Sequence, residues 1–287
     1  MRWLLVINHQ SLVIINYIRL LRPSNFFITV ASVFVACILA GGSVGQLSAM
    51  VLASVAAGII GGGGMVINDI FDLEIDRINK PSRPLPSGAV SVQAAATVYA
   101  LLTACGLLFN LFLSAFAQSI AVVAVILIFF YSFRLKGTPL VGNLAVGLLT
   151  GATFIYGGAV VGNVRRALIP ALFAFLINVG REVIKDMEDV EGDSRNNAAT
   201  FPVKYGMRPS AIVATSFLLA VVASTLIPTF TREYGIAYLA VVMAGVNCVI
   251  AYVIYSMWKD STPKNLNRLS DILKYDMLVG LLAIYLG

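Results

Sequence analysis

The sequence predicts an all-α integral membrane protein: about nine transmembrane helices in a bundle around a central cavity, with a four-helix unit duplicated within the chain. Three observations carry this expectation. Of 287 residues, 59% are hydrophobic and 12% charged, whereas a soluble domain averages about 25% charged residues to cover its wet surface. Apolar runs of membrane-crossing length recur along the chain. An acidic pattern appears twice at a fixed offset.

A hydrocarbon core of ~30 Å is crossed by about 20 helical residues. Runs of that order occupy 24–42, 46–67, 92–112, 116–133, 139–161, 167–185, 209–228, 234–257 and 269–286. Helix breakers punctuate the connectors: Gly41-Gly42, the Pro81, Pro84 and Pro86 cluster, Gly137 to Pro139, Pro202 and Pro263. Residues 1–22 hold short apolar runs broken by Asn, His, Gln and Arg, which predicts an amphipathic segment lying in the interface. A signal peptide with 26–39 as its apolar region would need an unusually long basic leader. Trp3 and Trp258 suit interfacial anchoring. Gly61–Gly64 inside the second run predicts close helix contact or local unwinding.

With nine spans, the N-terminus and the connectors after spans 2, 4, 6 and 8 share one face. That face takes seventeen of the twenty Lys and Arg residues, and the other takes only Arg165, Arg166 and Arg232. The positive-inside bias makes the richer face cytoplasmic. A multi-pass protein of the cell membrane with a cytoplasmic N-terminus follows, and an even span count would scramble the sorting. The net charge of +6 therefore points to anionic headgroups and phosphates rather than to nucleic acid.

Of fourteen acidic residues, ten fall in two stretches: Asp69, Asp72, Glu74 and Asp76, and then Glu182, Asp186, Glu188, Asp189, Glu191 and Asp193. Asp69, Asp72 and Asp76 recur at i, i+3 and i+7, as do Asp186, Asp189 and Asp193, so each trio lies on one helix face. The pairs 69/186, 72/189 and 76/193 are each 117 residues apart. One acidic face thus occurs twice, four spans apart, at cytoplasmic span ends, and the two copies are expected to share a cavity. Solvated loops that merely neutralise neighbouring bases would explain the charges but not the repeated phase.

Chemistry resting on a His base or His-ligated zinc is nearly excluded, because His9 stands alone. Cys37, Cys105 and Cys248 form no CxxC pair and read as packing residues. Carboxylates with the Asn68 amide are hard ligands that suit Mg²⁺, which retains waters and shares substrate phosphates. Two carboxylate faces would repel a bare diphosphate, so metal ions must intervene, and nearby bases would take the remaining phosphate oxygens. Lys80 and Arg83 follow the first motif on a stiff, proline-rich loop. Arg134 and Lys136 follow span 4, and Lys185, Arg195 and Lys204 surround the second motif.

Asn68-Asp69-x-x-Asp72-x-x-x-Asp76, then Asn79-Lys80-x-x-Arg83-Pro-Leu-Pro-Ser-Gly88, with Asp189-x-x-x-Asp193 further on, resembles the UbiA superfamily of intramembrane prenyltransferases. The likeness covers essentially the whole chain, including Tyr131 to Lys136 after span 4. Within that family, Arg181 to Asp193, Ala199 to Gly206 and Arg19 to Asn25 look most like archaeal digeranylgeranylglyceryl phosphate synthases. Chlorophyll synthases share the Pro-Ser-Gly and Glu-Gly-Asp elements. The resemblance implies a transmembrane prenyltransferase domain over 23–287 that moves a geranylgeranyl group from its diphosphate to the free hydroxyl of geranylgeranylglyceryl phosphate. The product is a diether lipid and free diphosphate.

It further implies two Mg²⁺ ions held by Asn68, Asp72 and Asp76 and by Asp189 and Asp193, which are the catalytic set, with Asp69 and Asp186 as further ligands or outer neighbours. Arg83 and Lys136 are the leading diphosphate contacts, with Lys80, Tyr131, Lys185 and Lys204 also in the substrate site. Arg22 suits the anionic acceptor. Phe109, Phe112, Phe129 and Phe130 suit either a prenyl tunnel or a lipid-facing surface. An aromatic or chlorophyllide acceptor is the alternative within the family. A CDP-alcohol phosphotransferase would need Asp-Gly-x-x-Ala-Arg, which is absent. An ion or anion transporter with inverted repeats would need an odd offset in spans.

Overall fold

The computed structural model describes residues 9–195 and 198–287, with side chains from Leu12 onward. Residues 1–8 of the expected interfacial segment, with Arg2 and Trp3, lie outside the described residues. Every regular element among the described residues is helical. The chain divides into two units. One comprises residues 44–133 with the chain up to Val35, and the other 134–287 with residues 36–43.

Among the described residues, seven helical stretches are long and apolar enough to cross a membrane: Val44–Phe71, Val92–Asn110, Ala115–Leu135, Val141–Val161, Val164–Glu188, Met207–Phe230 and Ile236–Lys259. They coincide with the second to eighth expected spans. Helices α1 (His9–Leu21) and α2 (Pro23–Leu39) occupy the first position. They meet at a bend of 41° and pass the same test only as a pair. The bend sits at Arg22, whose φ is +47°; Pro23 lacks an N–H and restricts the residue before it, so α1 cannot run on.

In the first unit, α3 (Leu47–Phe71) is followed by α4 (Leu73–Asn79), α5 (Val92–Asn110) and α6 (Ala115–Phe130), the last continued by a π-helical turn at Tyr131–Leu135. The spanning window of α3 is 61% buried, against 11% for α5 and 17% for the span containing α6, so α3 is the axis of this unit. Glycines allow the close approach: a Cβ at Gly106 would stand 2.5 Å from Ile60, and one at Gly64 would stand 2.9 Å from Ile128. Helix α3 runs unbroken through Gly61–Gly64, and Gly61, Gly63 and Gly64 face neighbouring side chains closely, so the stretch serves contact rather than unwinding. Leu20, Val66, Leu85, Val90 and Ala95 form a buried cluster that pins α1 and the proline-rich loop to the end of α3.

In the second unit, α7 (Val141–Val161) and α8 (Val164–Glu188) form a tight antiparallel pair. The unit continues with α9 (Val190–Arg195), α10 (Phe201–Tyr205), α11 (Met207–Ser224), α12 (Ile227–Phe230), α13 (Ile236–Val241), a π-helical turn at Val242–Asn247, α14 (Cys248–Lys259) and α15 (Pro263–Leu286). Helix α8 is its most buried span, at 56%. It packs through Ile177, Val183, Ile184 and Met187 into one cluster with α11, α14 and α15. Helix α15 occupies the ninth expected position but carries Lys264, Arg268, Asp271, Lys274 and Asp276, which keeps it outside the apolar set. Ser270 and Asp276 are buried, whereas Tyr275, Leu278, Leu282 and Tyr285 are exposed. The helix thus turns an apolar flank outward.

Candidate active site

The most buried helix of each unit ends in an acidic motif, and the two ends are built alike. Helix α3 stops at Phe71, Asp72 sits at the junction with φ −84° and ψ 1°, and α4 follows. Helix α8 stops at Glu188, Asp189 sits at the junction with φ −91° and ψ 7°, and α9 follows. The i to i−4 bonding survives both junctions. The amides of Asp72 and Asp76 donate to the carbonyls of Asn68 and Asp72 at 2.9 and 2.8 Å. Those of Asp189 and Asp193 donate to Lys185 and Asp189 at 3.0 and 2.9 Å. Each trio therefore keeps to one helix face, and the 117-residue repeat is a repeat of local backbone as well as of sequence.

In the first unit the carboxylates are already engaged. Asp69 is buried and accepts from the Arg22 guanidinium; Arg83 Nη1 stands 3.4 Å from Asp69 and 2.5 Å from the buried Asp76. Asn68 Nδ2 donates to Asp72 at 2.8 Å. Arg22 at the α1–α2 bend and Arg83 on the proline-rich loop thus converge on one acid, while Lys80 is exposed at the end of α4. Beside Asp72, the rings of Phe71, Phe129, Phe130 and Phe133 pack with neighbouring centroids 5.5 to 6.1 Å apart. They form an apolar surface next to the charged one. Phe112 is exposed at the far end of α5.

In the second unit Asp189 is exposed. Asp186 accepts from Asn143 Nδ2 of α7 at 2.8 Å, and Asp193 accepts from Thr200 Oγ1 at 3.0 Å. Burial pushes the Asp193 carboxyl above the ordinary carboxylate range. The Thr200 hydrogen bond opposes this, the Asp189 charge adds to it, and Lys136 lowers it again. The segment after α6 is held beside this site by the Ala199 amide, which donates to the Gly137 carbonyl at 3.0 Å. Lys185 is taken by Glu182 at 3.2 Å, and Lys204 lies over the Tyr205 ring. Tyr131 opens the π-helical turn after α6.

Sequence reasoning missed Asn143, Thr200, Phe71 and Phe133, and it named Glu182 within the second acidic stretch without giving it a partner. Thr200 lies within the Ala199 to Gly206 element that carries part of the resemblance; Asn143 sits in an apolar run with no signal beyond being polar. Among the described residues no three His, Cys, Asp or Glu side chains gather into a ready-made metal site. The donors at both motifs are nevertheless hard oxygens, the class that suits Mg²⁺, which uses one or two carboxylates and fills its shell with water and phosphate.

Residues 29–275 match the UbiA prenyltransferase family. The chain belongs to that family. It is accordingly a membrane-embedded prenyltransferase, and its similarity to curated relatives is extensive. A digeranylgeranylglyceryl phosphate synthase of Thermococcus gammatolerans is 36% identical over 271 residues, covering 94% of this chain and 97% of the relative. A solved structure described as a digeranylgeranylglyceryl phosphate synthase in membranes is 32% identical, with a TM-score of 0.85 over 96% of this chain and 98% of its own. A UbiA homologue of Archaeoglobus fulgidus bound to DMAPP and Mg²⁺ shares the fold, with a TM-score of 0.72 at 18% identity, over 95% of this chain and 100% of its own.

Proposed function

We propose that this prenyltransferase moves a geranylgeranyl group from geranylgeranyl diphosphate to the free hydroxyl of geranylgeranylglyceryl phosphate, giving an archaeal diether lipid and diphosphate. The observation that carries the reading is the doubled junction: Asp72 and Asp189 in the same backbone setting, each flanked by acids on one face, with Arg22 and Arg83 on the acids of the first motif and Lys136 acting on Asp193 of the second. The near-full-length similarity to digeranylgeranylglyceryl phosphate synthases supports the choice of substrates.

Asn68, Asp72 and Asp76, with Asp186, Asp189 and Asp193, would hold two Mg²⁺ ions. Bound Mg²⁺ supplies positive charge against the leaving diphosphate. Arg83, Lys136, Lys80 and Lys204 bind phosphate oxygens, with Tyr131 and Lys185 beside them. Asp69 is assigned to the arginines that it holds rather than to metal, and so positions Arg22 for the acceptor phosphate and Arg83 for the diphosphate. The phenylalanine cluster beside Asp72 accommodates the allylic end of the prenyl chain. There the C–O bond breaks, the acceptor oxygen takes the allylic carbon, and its proton is released.

The same reading assigns nine spans, with α2 and α15 as the first and last, a duplicated four-helix unit, and a single transmembrane domain over 23–287. It places an interfacial segment over 1–22 and both motifs at the cytoplasmic side of the cell membrane.

Purified protein supplied with both substrates and Mg²⁺ should form the diether and release diphosphate. Asp72→Ala and Asp189→Ala should each lower turnover at least about 100-fold, the loss expected on removing a transition-state charge partner. Undiminished turnover in either variant refutes the mechanism. Product formed only with an aromatic or chlorophyllide acceptor moves the chain to another branch of the family.

A further inference from the structure

The far end of the second unit, at the start of α8, holds a cavity of about 690 Å³, within the size range of small-molecule sites. By helix rise it lies about 35 Å along α8 from the acidic motif. Ile38, Leu39 and Ile284 give it an apolar wall, and Arg165, Arg166 and Tyr234 a polar one. Bases are scarce on this face. Arg165, Arg166 and Arg232 are the whole of its expected complement, and two of them line one cavity while the third adjoins its Glu233.

The arginines are available to a ligand. Arg166 makes no ion pair among the described residues, and its guanidinium lies over Gly41, where a Cβ would stand 2.8 Å from Nη1. Gly41 has a φ of +91°, a conformation that favours glycine, so the turn after α2 both bends there and leaves the room. Arg165 meets Glu233 at 3.3 Å in an exposed pair, a weak, solvent-screened kind of contact that is readily exchanged. Guanidinium forks match phosphate oxygens in pairs. A site with that fork beside aliphatic side chains selects molecules that are anionic at one end and apolar at the other.

We propose that this cavity binds a phosphate-headed lipid, with Arg165 and Arg166 on the phosphate and Ile38, Leu39 and Ile284 against the first carbons of its chains. The site is separate from the acidic motifs and does not depend on the reading of their chemistry.

Native mass spectrometry of the full-length protein, released from detergent micelles, tests the assignment with dioleoylphosphatidic acid, dioleoylphosphatidylcholine and inorganic phosphate as probes. Phosphatidic acid should be retained at least tenfold better than phosphatidylcholine. The double variant Arg165→Gln/Arg166→Gln should erase that preference, and Glu233→Gln, which removes a competing carboxylate at an exposed position, should strengthen retention two- to fivefold. The preference should survive Arg22→Ala; its loss there would place the lipid at the active site and overturn the proposal. Inorganic phosphate that displaces the lipid at equal concentration overturns the lipid assignment in favour of a free anion. Retention indifferent to the double variant also overturns it, and if that variant fails to fold, retention unchanged in Glu233→Gln does so.

Discussion

Asp69 in the first motif and Asp189 in the second do different physical work. Asp69 is buried between two guanidiniums, and removing one partner of a buried ion pair typically costs about 3–5 kcal/mol because a charge is left unpaired. Asp189 is exposed, and surface substitutions usually stay within about 0.5 kcal/mol. Asp69→Ala is therefore expected to lower the thermal unfolding midpoint by several degrees. Asp189→Ala should leave the midpoint unchanged while abolishing turnover, and thermal unfolding beside activity separates the two roles. Thr200 supports a third carboxylate. Its hydroxyl favours ionised Asp193, and burial alone already raises that group. Thr200→Val removes the opposing contribution, so the carboxylate is protonated at a higher pH and the acid limb of kcat/KM should shift upward. Thr200→Ser should restore the wild-type profile.

At the scale of elements, the α7–α8 pair depends on missing side chains. A Cβ at Gly147 would fall 2.5 Å from Val179, and one at Gly151 would fall 2.9 Å from the Ala171 carbonyl. Lipid tails are as apolar as leucine, so helices in a bilayer associate by close packing rather than by hydrophobic exclusion, and small residues at the contact supply it. Gly147→Leu should push α7 from α8 and cost at least about 1–3 kcal/mol. Asn143 on α7 would then lose its 2.8 Å bond to Asp186 on α8, so turnover should fall together with stability. Denaturation in detergent, read alongside activity, checks both. Gly162→Ala lies in the turn at the end of α7, outside the packed contact, and should leave the Asn143 bond intact.

At the scale of the whole molecule, the sidedness of charge makes a topological prediction. In a background with Cys37, Cys105 and Cys248 replaced, cysteines at the exposed Ser82 and Ser194 should react with an impermeant maleimide from the cytoplasmic side only. A cysteine at Val44, also exposed, should react from the opposite side only. Labelling of Ser82→Cys and Ser194→Cys from opposite sides would break the assignment of both motifs to one face. Seven of the nine expected spans meet the length and apolarity test as single helices. The first and last do not, for physical reasons: Pro23 breaks one, and the other carries Asp271, Lys274 and Asp276 along its apolar stretch.

Composition and periodicity alone determined the helical membrane class, the positions of seven apolar helices and the phase of both acidic faces. Those depend on local quantities: twenty apolar residues, a 100° step per residue, and a proline where a helix must stop. The family was equally legible, because its motifs are short and contiguous. Only the folded units decided how the charges are apportioned. Arg22 and Asp69 lie 47 residues apart, and Asn143 and Asp186 lie 43 apart; no local rule pairs them. Such pairs form because burial makes an unpartnered charge or amide costly, and which partner arrives depends on which helices pack together. The Arg165–Arg166 cavity belongs to the same category, since its walls come from helix ends that are distant in sequence.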